Sequence, residues 1–449
     1  MSKAIFRKRG SDAVVRSGSD GIKAANAEQG LQLPRVRVWH NDHLAEAAPL
    51  HVPELLESAA HGLTEDSQRE YWLLPGLIDL SVALREPGLE HQGTIESESR
   101  AALAGGFTMV CCPPDTDPVN DSPAVTRLIL EQAGLAGLIK VLPIAAMTAG
   151  LHGDVLADMC ALKHAGCVAV TNLRAPVKNN LVLRRCFEYA RSQNICVFAV
   201  PEDAALGAYG VASESDLSSK IGLPGVPEVA ETLAVASLLI LAEDTGVRLH
   251  LSQISCARSV VLIAAAKRRG LPVTADVALA NLLLNDRCVA SFNPAFRVQP
   301  PLRTEADRLA LLKGLEDGVI DAITTHHQPV DEASKLAPFA EAQPGMSLLE
   351  IAVPLLLGLS AAGELRPETW IAALSSGPRR VIGDALNAAG DTPVVPPDLV
   401  LVDTAAEWTP EAGQLYSKGK NCPWLGTKLS GRVAATIVDG RLLYQLDGA

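Results

Sequence analysis

The side chains that could bind a metal ion, or act as a base or nucleophile, are thinly spread in this sequence. It contains ten histidines and nine cysteines in 449 residues, and His326 and His327 form its adjacent histidine pair. Successive side chains of a strand point to opposite faces, so this pair could bind one ion only if its strand has already ended. The cysteines lie singly apart from Cys111 and Cys112, without a CxxC motif. We therefore expect buried thiols, and neither a zinc ribbon nor a disulfide framework.

The composition is that of a globular protein and argues against binding to nucleic acids or membranes. Hydrophobic residues make up 48% and charged residues 20% of the chain, which supplies a large core and argues against global disorder. The net charge of −12 has the wrong sign for general attraction to DNA, RNA or an anionic membrane. The longest apolar stretches, such as 351–359, are shorter than the ~20 residues of a spanning helix, and the N-terminus lacks a signal-peptide core. These features predict a cytoplasmic protein.

Short apolar runs alternate with longer helical patterns from Leu77 onward, which is typical of repeated βα units around a parallel sheet. Apolar residues recur at three- and four-residue intervals in the predicted helices 154–165, 227–245 and 303–315. Eight such units are the number that closes an α/β (β/α)8 TIM barrel, in which chemistry is expected on the loops after the strands. The eight predicted strands cover residues 77–84, 107–112, 140–145, 167–171, 195–200, 248–253, 272–277 and 319–325.

The two ends of the chain have a different character from the barrel, which we assign to residues 75–389. Residues 1–30 are polar and basic without apolar periodicity, which predicts a mobile N-terminal arm. Segments 31–74 and 390–449 are predicted to form one small β-domain beside the barrel. Its strand-like segments are 35–39, 398–403 and 432–444.

A series of short motifs runs from about Leu74 to the C-terminus. It begins with Pro75-Gly76-Leu77-Ile78-Asp79-Leu80 and Leu84-Arg85-Glu86-Pro87-Gly88. It continues with segments 105–108, 114–118, 143–144, 202–203, 293–303, 318–323 and 342–350. In order and spacing these motifs resemble dihydroorotase of the amidohydrolase superfamily. The resemblance implies a barrel in which one or two zinc ions activate a water for attack on a ring amide, while an aspartate transfers protons.

At the positions that bind zinc in this family, the chain carries other residues. Catalytic zinc needs about three protein ligands, drawn from histidine, cysteine and carboxylates, plus an open position. Apart from His326, the side chains at these positions are poor donors or lack a donor atom, so the resemblance implies that the zinc cofactor and the catalytic residues are lost. The degenerate positions are Ser81, Ala83, Asn172, Leu173, Val200, Gln253, Ala280, Asn281 and His326.

Arg85 lies where the family binds the substrate carboxylate, which a guanidinium can hold through two hydrogen bonds. Its retention is open to two interpretations. One is a residual anion pocket, and the other, which we favour, is a structural pairing with Glu86 or a helix end. Asp115 replaces the family's substrate-binding asparagine and is predicted to repel the same carboxylate.

The family includes inactive bacterial dihydroorotase-like subunits, and the chain resembles these most. They associate with the catalytic chain of aspartate transcarbamoylase and hold its trimers in a larger assembly. The resemblance therefore implies a pseudoenzyme that acts in a hetero-oligomer of de novo pyrimidine biosynthesis, without nucleic-acid or membrane partners.

Two other functions stay open. One is an active cyclic amidohydrolase, converting N-carbamoyl-L-aspartate to dihydroorotate with a rearranged or absent metal site. Without metal, Ser81 could serve as nucleophile with His326 or His327 as base, since all three are predicted at barrel strand ends. The other is a sensor that binds an anionic pathway intermediate through Arg85.

Overall fold

Eight parallel strands form the central barrel of the protein and follow one another around it in chain order. The computed structural model describes residues 5–6, 36–40, 42–46, 70–383 and 398–446. Its strands are β1 (Ile5–Phe6), β2 (Val36–His40), β3 (His43–Glu46), β4 (Tyr71–Pro75), β5 (Leu77–Asp79), β6 (Phe107–Cys112), β7 (Lys140–Ala146), β8 (Ala169–Thr171), β9 (Cys196–Ala199), β10 (Ala212–Ser213), β11 (Gly225–Val226), β12 (Leu249–Leu251), β13 (Val273–Ala278), β14 (Ala322–Thr324), β15 (Leu399–Trp408), β16 (Leu429–Val438) and β17 (Arg441–Gln445). The barrel contains β5 to β9 and β12 to β14, and the predicted TIM-barrel fold is confirmed.

Helices follow the barrel strands and cover the outside of the barrel. They are α1 (Ile95–Ala104), α2 (Pro123–Ala136), α3 (Met159–Ala165), α4 (Asn180–Ser192), α5 (Asp216–Ile221), α6 (Glu228–Thr245), α7 (Ala257–Arg268), α8 (Leu279–Leu283), α9 (Glu305–Glu316), α10 (Ala352–Ala361), α11 (Pro367–Ala373) and α12 (Ser376–Ile382). The helix predicted from residue 154 begins only at Met159, because the Asp158 side chain caps it by accepting from Ala161 N. Within the described ranges, none of the helices is both long and apolar enough to cross a membrane.

The barrel interior is filled by alternate residues of its strands and is apolar apart from polar side chains such as His250 and Asp276. Ile78, Met109, Ile144 and Phe198 belong to one buried cluster, whereas the residues between them pack outward against the helices. This alternation is the reason that every strand appears in the sequence as an almost continuous apolar run. All nine cysteines are free, and seven of them are buried, as predicted.

The first barrel strand is shorter than predicted. It ends at Asp79 instead of residue 84, because the Asp79 carboxylate accepts from Ser81 N at 2.9 Å and turns the chain. Beyond this turn the backbone pairs with the segment after the last strand through a bridge between Val82 and His327, with Ala83 N donating to His327 O at 2.9 Å. Side-chain contacts therefore contribute to the closure of the barrel.

A second sheet is built from both ends of the chain. Its seven strands lie in the order β1-β17-β16-β15-β4-β2-β3. The predicted strand 432–444 is in fact two strands, because Asp439 and Gly440 both adopt positive φ and form the tight turn of a hairpin. The chain passes from this sheet to the barrel at Gly76, where a Cβ would lie 2.3 Å from Thr108 Oγ1.

The predicted mobile arm is only partly described. Residues 5–6 form the strand β1, which pairs with β17, so this part of the arm belongs to the sheet. The rest of residues 1–30 lies outside the described residues.

Candidate functional site

A buried carboxylate joins the first and last barrel strands at the mouth of the barrel. Asp79 accepts from Thr325 N at 2.9 Å and from the hydroxyl groups of Thr324 and Thr325. Burial raises the pKa of Asp79 above its ordinary value, although these hydrogen bonds act in the opposite direction. Since its oxygens are occupied by groups of the fold, Asp79 acts as a cross-strand connector.

His327 belongs to a second buried network behind this connector. Its Nδ1 accepts from Leu348 N at 3.2 Å, so Nε2 carries the proton and donates to Glu98 Oε2 at 2.8 Å. Both side chains are buried. Burial raises the pKa of Glu98, but the interactions with His327 and the hydrogen bonds with Ser417 and Ser97 together outweigh burial, and the net pKa lies below its ordinary value.

A segment from the C-terminal part of the chain covers this side of the mouth. Lys418 N donates to Glu98 Oε1 at 3.1 Å, and Glu350 accepts from the backbone N atoms of Tyr416 and Ser417. Asn421 accepts from Val330 N at 3.1 Å. Burial raises the pKa of Glu350 to about 7. We call residues 416–421 the covering segment.

His326 does not join His327, although the strand has indeed ended before both of them. β14 stops at Thr324, and His326 has a φ of 49°. Its Nε2 lies 3.1 Å from Gln328 Nε2, beside a void of only about 10 Å³, which is about the room of one water molecule. Burial and the cations of Arg174 and Arg85 lower the pKa of His326 to about 3, so its ring is neutral.

Four of the predicted site positions share an uncommon backbone conformation. Arg85, Leu173, Gln253 and His326 all have φ values between 49° and 66°. Non-glycine residues rarely adopt this left-handed region, and such residues cluster at functional sites. Leu173, Gln253 and His326 each lie two residues after the end of a barrel strand, so the conformation turns the chain at the mouth there.

Arg174 is a central residue of the mouth that the sequence analysis missed. Its Nη1 donates to Glu202 Oε2 at 2.5 Å, and its Nη2 donates to Gln253 Oε1 at 2.8 Å. Gln253 Nε2 in turn lies 3.4 Å from Ser81 Oγ. The signal that could have revealed Arg174 is a basic residue directly after two degenerate ligand positions at a strand end.

Among the described residues, Ser81 makes no hydrogen bond to His326 or His327, so the geometry does not support Ser81 as a nucleophile activated by either histidine. Ser81 is placed beside Gln253, His326 beside Gln328, and His327 beside Glu98. His250 is likewise occupied, since its ring nitrogens lie 2.8 Å from Thr274 Oγ1 and from Asp276 Oδ2.

The remaining degenerate positions have ordinary structural contacts. The side chain of Asn172 accepts from Thr148 Oγ1, and that of Asn281 donates to Pro301 O. Ala83 is buried, Ala280 is buried within the apolar core, and Leu173 and Val200 line a cavity.

Arg85 pairs with Asp115 and not with Glu86, which corrects the predicted partner of this arginine. Its Nη1 lies 3.1 Å from Asp115 Oδ2, and its Nε donates to Pro329 O at 3.0 Å. Glu86, the predicted partner, instead accepts from Ile95 N at the start of α1. Asp115 therefore neutralises Arg85 and engages the group that would hold a substrate carboxylate. Burial raises the pKa of Asp115, although Arg85 acts in the opposite direction.

The side of the mouth near β8 and β9 is open. A cavity of about 400 Å³ lies there between α4 and α6, a volume within the range of small-molecule sites. Its walls are mainly apolar, and Arg174, Glu202 and Asp203 border it.

The residues at the mouth do not fit a zinc ion. Among the residues that the structure describes, no three His, Cys, Asp or Glu side chains lie close enough together to hold a metal ion. The side chains of Ser81 and Gln253 are neutral, and the neighbouring cation Arg174 would repel a divalent ion. No hydrolytic step through a metal-bound water can be derived from this arrangement.

Comparisons with known proteins agree on one family. A family model described as "Dihydro-orotase-like" matches residues 71–259. The chain is 47% identical to a "Dihydroorotase-like protein" of Pseudomonas aeruginosa, over 83% of this chain and 87% of that protein. It is 39% identical to a "Dihydroorotase" of Anaeromyxobacter dehalogenans, over the full length of both.

A solved structure supports the fold alone. The L-hydantoinase of Arthrobacter aurescens superposes with a TM-score of 0.74 at 19% identity, over 92% of this chain and 97% of that chain.

Proposed function

The chain belongs to the dihydroorotase-like family, and we propose that it acts in this family as a non-catalytic subunit that supports aspartate transcarbamoylase in de novo pyrimidine biosynthesis. The observation that carries the proposal is the hydrogen-bonded series Glu202, Arg174, Gln253 and Ser81 at the barrel mouth. Two neutral side chains and an arginine paired with a carboxylate lie there, where a hydrolase of this family would need metal ligands.

The charge balance at the mouth supports the loss of substrate binding as well. Arg85 is engaged by Asp115 and by a backbone oxygen, so a carboxylate ligand would have to displace a buried carboxylate of the protein itself. A scaffold retained without its chemistry is consistent with selection for shape and surface. The partner is proposed from the resemblance, in the cytoplasm and as a hetero-oligomer.

The decisive experiment mixes this chain with the aspartate transcarbamoylase catalytic chain of the same organism. The mass in solution and the transferase activity are followed on the same fractions. A joint species of several hundred kilodaltons that is active only when both chains are present supports the proposal. Separate elution with an independently active transferase would overturn it.

The zinc content of the purified chain provides an independent test. We expect well under one zinc per chain, and a stoichiometric, tightly bound ion would contradict the proposal. The single variants Ser81→His and His326→Asp should restore no cyclisation of N-carbamoyl-L-aspartate, because several ligands must be present together.

An active cyclic amidohydrolase is the second candidate, favoured by the relatives named "Dihydroorotase" that match along the whole chain. Interconversion of dihydroorotate and N-carbamoyl-L-aspartate by the purified chain, above a Ser81→Ala control, would establish a serine-dependent reaction. Calorimetry with the same two compounds tests the sensor function, and the absence of heat at millimolar concentration would exclude it.

A further inference from the structure

One arginine connects the ends of three neighbouring barrel strands. Arg174 follows β8, Glu202 follows β9 and Gln253 follows β12, and these strands are adjacent in the sheet. The two terminal nitrogens of Arg174 donate in two directions, to Glu202 Oε2 at 2.5 Å and to Gln253 Oε1 at 2.8 Å. We call these three side chains the Arg174 bridge.

The bridge extends across the mouth to the first barrel strand. Gln253 Nε2 lies 3.4 Å from Ser81 Oγ, which follows β5. The backbone of Gln253 is fixed as well, because its N atom donates at 2.6 Å to Oδ1 of Asp276, which lies within β13. The partner of Arg174 therefore does not move freely with its own loop, and the bridge connects ends that are themselves anchored.

Arg174 keeps its charge in this setting. Its side chain is 21% exposed and that of Glu202 is 16% exposed. Burial lowers the pKa of Arg174 below its ordinary value, and Glu202 counteracts this effect. A guanidinium remains protonated under such conditions. Its planar shape directs donors to two acceptors at once, which a lysine ammonium on a flexible stem cannot do with the same geometry.

We propose that the Arg174 bridge is the internal cross-link that holds the ends of β8, β9 and β12 together at the mouth, so that this barrel is ordered there by its own cation and without a bound metal. The proposal depends on the proposed function in one respect, namely that the chain works without zinc. It adds the residue that makes zinc unnecessary for the order of the mouth.

Amide hydrogen exchange of the full chain, measured by mass spectrometry of its peptides, tests the bridge. In Arg174→Met we expect exchange to become at least about ten-fold faster in the peptides that contain the ends of β8, β9 and β12, and unchanged in those of β6 and β7. The matched control is Arg184→Met, since Arg184 pairs with Glu188 and Asp244 on exposed surface. This control should leave all of these peptides unchanged.

Two further measurements test whether the two-directional hydrogen bonding of Arg174 orders the strand ends, as opposed to its positive charge alone or a bound metal. Arg174→Lys should restore protection at one of the two partner strands but not at both, and full protection would overturn the proposal. Dialysis of the unmodified chain against a chelator should leave the exchange of the three strand ends unchanged, and faster exchange would show that a metal orders them.

The proposal would also be overturned if amide exchange in Arg174→Met became faster to the same extent in all peptides. It would likewise be overturned if exchange at the three strand ends did not become faster. These exchange results are independent of whether the chain forms a complex with the transcarbamoylase and of how much zinc it contains. Failure of the bridge is therefore distinguishable from failure of the proposed function.

Discussion

The two sides of the barrel mouth are held in different ways. On the closed side, around Asp79, Glu98 and Glu350, carboxylates bind backbone N atoms and hydroxyls beneath the covering segment. On the open side, around Arg174 and Glu202, side chains bind one another beside a cavity of about 400 Å³. The carboxylates on the closed side therefore stabilise the closure of the barrel, whereas the open side contains accessible space.

Removal of the Asp79 carboxylate should have the largest effect on the closed side of the mouth. We expect Asp79→Ala to lower the free energy of unfolding by about 3 to 5 kcal/mol, because Ser81 N, Thr325 N and two hydroxyls lose a buried acceptor. Chemical denaturation measures the loss. The exposed Asp216→Ala is the control and should stay within about 0.5 kcal/mol. Equal effects of the two variants would mean that the closed side does not depend on its carboxylates.

The ionisation of Glu350 should make the stability of the closed side depend on pH. Burial raises its pKa from 4.5 to about 7 in the folded protein. Between these values the folded state holds a proton that the unfolded state has lost, so stability falls as the pH rises through this window. Glu350→Gln removes this decline, and its stability relative to the unmodified chain should rise by about 3 kcal/mol from below pH 4.5 to above pH 7. Denaturation of both proteins across the window measures it, and parallel curves would contradict the assignment.

The pair of Glu98 and His327 should give a smaller effect. Glu98→Gln keeps the shape of the side chain but replaces a charge-assisted hydrogen bond to His327, which we expect to lower the free energy of unfolding by about 2 kcal/mol. Glu96→Gln on the same helix is the matched control, since Glu96 pairs with Arg100 on the surface, and should cost less than about 0.5 kcal/mol. A loss in Glu98→Gln no larger than in the control would show that the network contributes little.

The smallest effect is expected at the rim of the open side. Leu233 and Leu238 both line the cavity, but Leu233 is 51% exposed and Leu238 is 7% exposed. Leu233→Ala should change the free energy of unfolding by about 0.5 kcal/mol or less, whereas Leu238→Ala should cost about 2 kcal/mol or more. A large loss in Leu233→Ala would show that the rim is packed in solution and that the side is not open.

The sequence predicts the barrel because its buried parallel strands leave apolar runs, and because helical periodicity separates them. It also predicts the positions of the mouth residues, since these follow the strands. It does not predict their contacts. The pairing of Arg85 with Asp115 instead of Glu86 joins two different strand ends, and no local pattern encodes such a contact.

The Arg174 bridge and the covering segment escaped prediction for the same physical reason. Gln253 lies 79 residues from Arg174, and Lys418 lies 320 residues from Glu98. The left-handed backbone of Leu173 is equally invisible in the sequence, because leucine does not favour this conformation. Periodicity reports which side chains are buried, but the partner of a buried polar group depends on the assembled fold.

The sheet that joins both chain ends sets an order of events during synthesis. Thr404 Oγ1 donates to Glu70 O across 334 residues of chain, and β4 pairs with β15 next to this contact. At a translation rate of about 5 to 20 residues per second, β4 leaves the ribosome roughly 20 to 70 seconds before its neighbour is made. During this interval the edge of β4 that β15 later covers is unpaired. Completion of this sheet, and with it any assembly that requires the sheet, must therefore follow the synthesis of β15, β16 and β17.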